Sequence, residues 1–240
     1  MRRYMVHTLK SKAQKTFPVI GSLVAIIATL SLLWLSLTIG QKNHHDLGLY
    51  FLYQGVTLAI AGAVILVVKM LKTNLRYLKF GNMDAYARPI KLLGIKETER
   101  WKSVGITFAV IISLVTGIFL FVASKDRLAA ISVQSWLLAF GVAIPLACSN
   151  AFVEEIITRW TVVESLTDKY ALYAPWISAV IFGSVHYFGT PGGVAGSLMA
   201  GFLGWLLARS IQDTGGIGWA WLIHFLQDVL IFTFTIAVFI

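Results

Sequence analysis

The chain has 240 residues, of which 58% are hydrophobic and only 13% charged, with a formal net charge of +9 and a mean hydropathy of +0.77. About a quarter of the residues in an ordinary soluble domain are charged, because its surface must be hydrated. The composition therefore excludes a soluble globular protein. The positive charge does not indicate a nucleic-acid partner, because most Lys and Arg residues flank apolar segments and no known nucleic-acid-binding motif accompanies them.

Seven apolar segments follow one another along the chain. They cover residues 17–40, 47–68, 103–124, 131–153 (running on beyond), 174–188, 193–208 and 217–240. About 20 helical residues cross the hydrocarbon core of a bilayer, and a helix satisfies its own backbone hydrogen bonds there. The first segment is too long for the apolar core of a cleavable signal peptide, which has about 7–15 residues. We therefore predict an all-α polytopic membrane protein with about seven transmembrane helices, the first of them retained.

The distribution of basic residues predicts the orientation. Five Lys or Arg residues precede the first segment and nine lie in residues 69–102, whereas the first loop has only Lys42. Basic loops stay in the cytoplasm, so the N-terminus and residues 69–102 are expected inside and the C-terminus outside. We expect a multi-pass protein of the cell membrane, in contact with the lipid bilayer.

The connection formed by residues 69–102 is the only long polar stretch. In residues 75–80, apolar side chains alternate with Arg76 and Lys79, which indicates either a basic helix lying on the inner membrane face or a solvated linker. We divide the chain into residues 1–130, three transmembrane helices with this basic cytoplasmic connection, and residues 131–240, a catalytic core of four helices. The two parts form a single integral unit.

Ionisable side chains lie inside the apolar segments only after residue 150. They are Glu154, Glu155, Arg159, His186, His224 and Asp228. Each such group costs at least about 2.5–3.5 kcal/mol in a bilayer, so these groups mark function by default. At 1.5 Å per helical residue, the acids and histidines lie between roughly 10 and 20 Å from the predicted cytoplasmic ends of their helices. This common depth predicts one site, reached from the cytoplasmic side.

The spacing of these residues suggests how they pair. Glu155 and Arg159 are four residues apart and can pair on one helix face, while Glu154 is turned about 100° away and stays available for chemistry. The two residues His224 and Asp228 also share a face, as do Phe182 and His186. Two further acids near the predicted inner surface are expected to be solvated. They are Glu164 and Asp168.

Three motifs carry a resemblance to a known family. They are Glu154-Glu155-x-x-x-Arg159, Phe182-x-x-x-His186 and His224-x-x-x-Asp228. Their order on successive late helices resembles the CAAX protease and bacteriocin-processing (CPBP, Abi) family. The turn at Thr214, Gly215 and Gly216 resembles the Thr-Gly turn of that family. The resemblance covers roughly residues 131–232 and implies an intramembrane catalytic cavity.

The resemblance implies a glutamate-type intramembrane endopeptidase. By this resemblance Glu154 is the general base that activates a water, His186 assists it, and His224 with Asp228 stabilises the oxyanion. The same comparison makes Glu155 with Arg159 a structural pair, and Phe182 is expected to shape the cavity wall. The eukaryotic CAAX proteases carry Asn where this chain has Asp228, and an aspartate donates a hydrogen bond only when it is protonated.

No cofactor is required by this mechanism. The alternative is zinc, for which Glu154, His186, His224 and Asp228 form a plausible ligand set. The expected partner is a peptide or membrane-protein substrate. Peptide processing and bacteriocin self-immunity are roles of the resembled family, and the short chain favours a bacterial host. Two other functions stay open: a non-catalytic scaffold that regulates other membrane proteins, which should have lost catalytic positions, and a proton-coupled transporter, which should show repeats in both halves.

Overall fold

The computed structural model of the chain describes residues 2–40, 47–72, 74–128, 130–167, 170–189 and 192–239. Eight α-helices form most of this structure. They are α1 (Arg2–Leu35), α2 (Leu47–Leu71), α3 (Trp101–Leu128), α4 (Val133–Glu154), α5 (Thr161–Ser165), α6 (Ala174–Val185), α7 (Gly193–Thr214) and α8 (Gly218–Phe239). Short π turns follow α1 at Ser36–Gly40 and join α4 to α5 at Glu155–Trp160, and 3-10 turns lie at Lys91–Leu93 and His186–Phe188. No strand occurs in these ranges, only two isolated β-bridges.

Six helical segments of the described residues are long and apolar enough to cross a membrane. They cover residues 16–39, 47–71, 101–128, 133–165, 193–214 and 218–238. The all-α, multi-pass prediction is confirmed. The segment predicted at 174–188 is helical too, but α6 has only 12 residues before its 3-10 turn, about 18 Å of helix, which is too short to span the bilayer alone. The segment predicted at 131–153 and beyond runs to Ser165 through the π turn.

Close helix contacts bring the late helices together. Helix α8 packs against both α4 and α3, and α6 packs along α7. A Cβ atom added at Gly183 would lie 2.7 Å from the Ser197 carbonyl oxygen, and one at Gly204 would lie 3.2 Å from the Ser178 carbonyl oxygen. The backbones of α6 and α7 therefore touch at small residues, as is common between membrane helices. This contact fixes α6, which ends in the predicted His186.

The basic segment (residues 72–100) is neither the predicted helix nor a solvated linker. Its backbone pairs with the turn between α7 and α8: Ile217 donates to the Lys79 carbonyl at 2.8 Å, and Gly218 to the Phe80 carbonyl at 3.0 Å. Gly81, with φ +79°, packs against the backbone of Gly216, where a side chain would collide. The predicted helix does not form here, because the carbonyl groups of Lys79 and Phe80 accept hydrogen bonds from the α7–α8 turn.

Two buried carboxylates hold the basic segment in place. The Glu164 side chain is fully buried and accepts hydrogen bonds from Lys72 Nζ at 2.6 Å and from the backbone N–H groups of Arg76 and Tyr77 at 3.0 Å. Asp213 pairs with Arg88 and accepts from Trp101 Nε1 at 3.0 Å. The expectation that Glu164 is solvated is wrong, because the segment folds over it. Asp168 lies outside the described residues.

The bundle thus has two different ends. We call the end that carries the basic segment and the α7–α8 turn the capped end. We call the other end the open end; there the ring of Tyr50, near the start of α2, meets that of Phe232, near the end of α8, with centroids 6.4 Å apart. At the capped end Lys72 lies over the Phe17 ring. The apolar part of α1 therefore starts at the capped end, whereas α8 finishes at the open end.

Replacement of Glu164 by Ala is expected to destabilise the protein by about 3–5 kcal/mol, because Lys72 and two backbone N–H groups lose a buried partner. The matched control is Asp84→Ala, since the Asp84–Arg100 pair is about half exposed and such pairs contribute about 0–1 kcal/mol. Thermal melts of both variants in one detergent provide the measurement. Equal melting temperatures for the two variants would contradict the anchoring role of Glu164.

Candidate active site

A π turn places the two adjacent glutamates. Glu154 is the last residue of α4 and Glu155 the first of the turn, which is buried throughout. The Thr161 hydroxyl donates to the Ile156 carbonyl, five residues back, at 2.8 Å, and Ser178 of α6 donates to the Thr158 carbonyl at 2.9 Å. These bonds stabilise a geometry that is rare in helices and frequent at functional sites. The turn also ties α6 to the segment that carries the glutamates.

The Glu155 carboxylate accepts hydrogen bonds from two partners. Arg159 Nη1 donates to Glu155 Oε1 at 2.6 Å, and His224 Nδ1 donates to the same oxygen at 2.7 Å. The side chains of Glu155 and Arg159 are fully buried, and that of His224 is almost so. The structure thus forms the predicted Glu155–Arg159 pair. It adds a contact that the sequence did not indicate: Glu155 also orients His224.

The orientation of His224 directs its second nitrogen toward the other two acids. Its Nε2 atom lies 3.5 Å from Glu154 Oε2 and 3.6 Å from Asp228 Oδ1. The two glutamates therefore approach one imidazole from different sides, which agrees with the predicted angle between them. Glu154 is the more accessible of the pair, with 21% of its side chain exposed against none for Glu155.

Asn150 is a site residue that the sequence reasoning missed. Its amide nitrogen, Nδ2, donates to Glu154 Oε1 at 3.2 Å and to Asp228 Oδ2 at 3.0 Å. One amide group thus bridges two carboxylates and holds them at a fixed separation. A signal was present, since Asn150 is a polar residue in an apolar run, one turn before Glu154 on the same helix face. A search restricted to ionisable residues overlooked it.

His186 stands at the end of α6 beside Phe182. Its Nδ1–H donates to the Phe182 carbonyl at 2.8 Å, and the two rings lie 4.0 Å apart. In the neutral imidazole this bond leaves Nε2 as an acceptor. The Phe182 ring also packs against a cation, because Arg159 Cζ lies 3.8 Å from its centroid. One aromatic ring therefore contacts both the buried guanidinium and His186.

Two adjoining cavities of about 320 and 120 Å³ meet at these residues. The larger one is bordered by all four residues predicted to be catalytic: Glu154, His186, His224 and Asp228. Glu154, His186 and Tyr53 border both cavities. Tyr53 was not predicted, because its place in the site follows from the packing of α2 and not from any local pattern. The first two helices thus supply part of the wall.

The larger cavity extends from the acids toward the open end. Its remaining walls come from Ser36 and Ile39 of the first π turn, Tyr50 of α2, and Phe232 and Thr235 of α8. The cavity therefore leads away from the capped end; access from the cytoplasmic side stays a prediction, because it depends on the orientation of the bundle in the membrane. The number of residues from the helix end gives the depth of a side chain in the membrane. It does not show whether packed side chains fill the space toward one end of the bundle or toward the other.

Glu154, His186, His224 and Asp228 are also the residues of the alternative zinc ligand set. Within the part of the chain that the structure describes, no three His, Cys, Asp or Glu side chains are grouped so that they could hold a metal ion. Each of these histidines uses Nδ1 for a hydrogen bond, to Glu155 or to the Phe182 carbonyl, which leaves Nε2 as the second nitrogen. That no cofactor is required stays a prediction.

Comparison with known proteins agrees with the site geometry. Residues 133–230 match the family model of the type II CAAX prenyl endopeptidase, Rce1-like. The matched region begins at α4, ends in α8 and contains every residue of the three motifs, so the resemblance indicated by the motifs is confirmed there. A type II CAAX prenyl endopeptidase is a peptidase, and together with the transmembrane helices the match supports an intramembrane endopeptidase in general terms. No curated protein and no solved structure gives a significant match.

In this CAAX-endopeptidase-like core, Glu155→Gln is expected to lower stability by about 3–5 kcal/mol, because Arg159 keeps a buried charge without its ionic partner. The folded fraction should also cleave more slowly, since His224 loses its orienting carboxylate. Yield and melting temperature in detergent measure the first effect. Glu154→Gln, which leaves the Glu155–Arg159 pair intact, is the control. A Glu155→Gln variant that melts with the parent protein would show that the pair does not stabilise the fold.

Proposed function

We propose that this protein is a glutamate-type intramembrane endopeptidase in which Glu154 activates the water that attacks a peptide carbonyl. The observation that supports this most is the separation of the two glutamates. Glu154 borders the cavities together with His186, whereas Glu155 is sealed away with Arg159. A general base must reach its proton directly or through one water, and of the two glutamates only Glu154 faces such a space.

Water activation uses two acceptors on the cavity wall. In the proposed step Glu154 takes one proton from the water, while Nε2 of His186 accepts a hydrogen bond from the other and orients the molecule. The new bond joins the water oxygen to the carbonyl carbon. Collapse of the tetrahedral intermediate breaks the carbon–nitrogen bond, and the proton held by Glu154 passes to the leaving amine. The reaction yields a carboxylate and an amine.

The oxyanion is stabilised from α8. His224 Nδ1–H is donated to Glu155, so Nε2 faces the cavity, and it donates from there when the ring is protonated. Asp228 contributes a second donor when protonated, through Oδ1, since Oδ2 accepts from Asn150. Donors fixed in advance in a water-poor site supply several kcal/mol of transition-state stabilisation. Asn150 acts as a positioning residue that keeps the acids apart.

The proposed physiological setting follows from the family resemblance and the charge distribution. We place the protein in the cell membrane of a bacterium, with its N-terminus in the cytoplasm, and assign it to peptide processing or bacteriocin self-immunity. The contact between Glu155 and His224 favours a peptidase over the scaffold and the transporter. A scaffold needs no imidazole oriented toward a cavity. A transporter should show repeats in both halves, whereas ionisable residues lie inside the apolar segments only after residue 150.

Replacement of Glu154 by Gln is expected to slow cleavage by about 10²–10⁴-fold, because the shape is kept and the base is lost. The melting temperature should stay close to that of the parent protein. The assay is cleavage of one reporter peptide, chosen on the parent protein, under identical detergent conditions. Tyr50→Phe, which keeps the ring of a wall residue, is the matched control and should cleave. If Glu154→Gln folds and cleaves like the parent, the assignment of the base is wrong.

Peptide cleavage in detergent is expected to survive strong chelation, because Glu154 and His186 activate the water in this mechanism without a resident metal. Metal analysis of the purified protein and cleavage before and after chelation provide the test. A different mechanism would be required by stoichiometric zinc whose removal abolishes cleavage and whose return restores it. The protein would then be a metalloprotease with ligands drawn from Glu154, His186, His224 and Asp228.

A further inference from the structure

We infer that the site receives its substrate from the extracytoplasmic face of the membrane, as a peptide or protein segment with apolar residues beside the cleaved bond. The cleavage chemistry in this inference rests on the proposed function. The direction of access rests on the shape of the bundle and on its charge distribution, so the two can fail separately.

The first observation is the position of the cavity along the bundle. Beyond the acids, the larger cavity is walled by the last turns of α8, the first turns of α2, the π turn after α1 and the 3-10 turn after α6. All four elements lie at the open end. Thr235, for example, is two helical turns beyond Asp228 in that direction. The cavity therefore leads away from the basic segment.

The second observation is that the opposite direction is filled. Between the acids and the capped end lie side chains with no exposed surface, among them Ile156, Ile157, Trp160 and Ile223. Below them the basic segment is anchored on Glu164, which is also fully buried. Protein interiors are packed closely enough to leave few voids larger than a water molecule. The packed side chains among the described residues therefore leave no path for an extended peptide from the capped end to Glu154.

The third observation assigns the two ends of the bundle to the two sides of the membrane. Residues 69–102, with nine Lys and Arg residues, belong to the capped end, and five more basic residues precede the apolar part of α1. Short loops rich in Lys and Arg remain in the cytoplasm. The capped end therefore faces the cytoplasm and the open end faces the outside. Tails of cytoplasmic proteins would meet the closed side of the bundle.

The walls indicate the chemistry of the substrate. Around the polar floor, the larger cavity is bordered by Leu49, Tyr50, Phe188, Ile231 and Phe232. The smaller cavity continues sideways between α1 and α6, past further apolar residues of both helices. Pockets with apolar walls and a few placed polar groups bind apolar ligands in a fixed orientation. The site suits an apolar segment that enters from the outer leaflet or its surface.

Cysteine accessibility tests the direction without depending on catalysis. In a Cys148→Ser background, Asn150→Cys marks the floor of the cavity and Ile231→Cys its wall one turn further out. A charged, membrane-impermeant thiol reagent is added to sealed right-side-out and inverted membrane vesicles. We expect both cysteines to react in right-side-out vesicles and to be protected in inverted ones. Leu92→Cys, at a position 93% exposed in the basic segment, should show the reverse pattern.

The outcomes of this labelling are decisive. Reaction of the cavity cysteines in inverted vesicles alone would overturn the inference, and so would their protection in both preparations. Reaction of Leu92→Cys from the outside would reverse the assigned sides and overturn it as well. Because two cavity positions are used, misfolding of one variant leaves the other to decide.

A cleavage experiment then separates access from chemistry. A water-soluble reporter peptide with an apolar stretch is added to sealed vesicles of each orientation that contain the parent protein or Glu154→Gln. Cleavage by the parent in right-side-out vesicles alone supports the inference, and cleavage in inverted vesicles alone overturns it. If Glu154→Gln labels normally at the cavity cysteines but cleaves like the parent, the access route stands and the proposed mechanism fails.

Discussion

The site depends on one carboxylate oxygen, Glu155 Oε1, which accepts hydrogen bonds from both Arg159 and His224. Charges removed from water are tolerated only when their attraction to each other and their hydrogen bonds replace hydration. Here a single acid compensates a guanidinium on its own turn and an imidazole from α8. This links the π turn to α8 across the bundle, and the link determines which nitrogen of His224 faces the cavity. Glu154 and Asp228 lie 3.5 and 3.6 Å from that nitrogen, and Asn150 bridges their carboxylates.

The two adjacent glutamates show how neighbouring residues of one type acquire different roles. Glu155 is surrounded by packed side chains and has its charge matched, so it stabilises structure. Glu154 borders empty space and shares an amide donor with Asp228. The Phe182 ring contacts both Arg159 of the structural pair and His186, which the proposed mechanism assigns to water activation. The Glu154-Glu155-x-x-x-Arg159 motif does not contain this ring, which α6 supplies.

Much of the site could be predicted from the sequence, because ionisable residues are costly in a bilayer and their spacing limits how they pair. The Glu155–Arg159 pair and the grouping of Glu154, His186, His224 and Asp228 around one cavity follow from such reasoning. Tyr53 and the buried state of Glu164 could not be predicted, since both arise from contacts between segments about 90–100 residues apart in the sequence. The direction in which the cavity opens could not be predicted either, because it depends on which side of the site is filled by packed side chains. Asn150 could have been predicted as a polar residue in an apolar run, but it carries no charge, so the cost of placing ionisable groups in a bilayer does not mark it.

The short helix α6 has a consequence for the membrane around the protein. Twelve α-helical residues followed by a 3-10 turn of three measure about 24 Å, several ångströms less than the hydrocarbon core of an average bilayer. A bilayer adapts to such a helix by thinning locally. The thinned region would adjoin the place where α6 stops, and the residue there is His186. The thinner hydrocarbon layer would bring the aqueous surface closer to His186, which the proposed mechanism assigns to orienting the water that each hydrolysed peptide bond consumes.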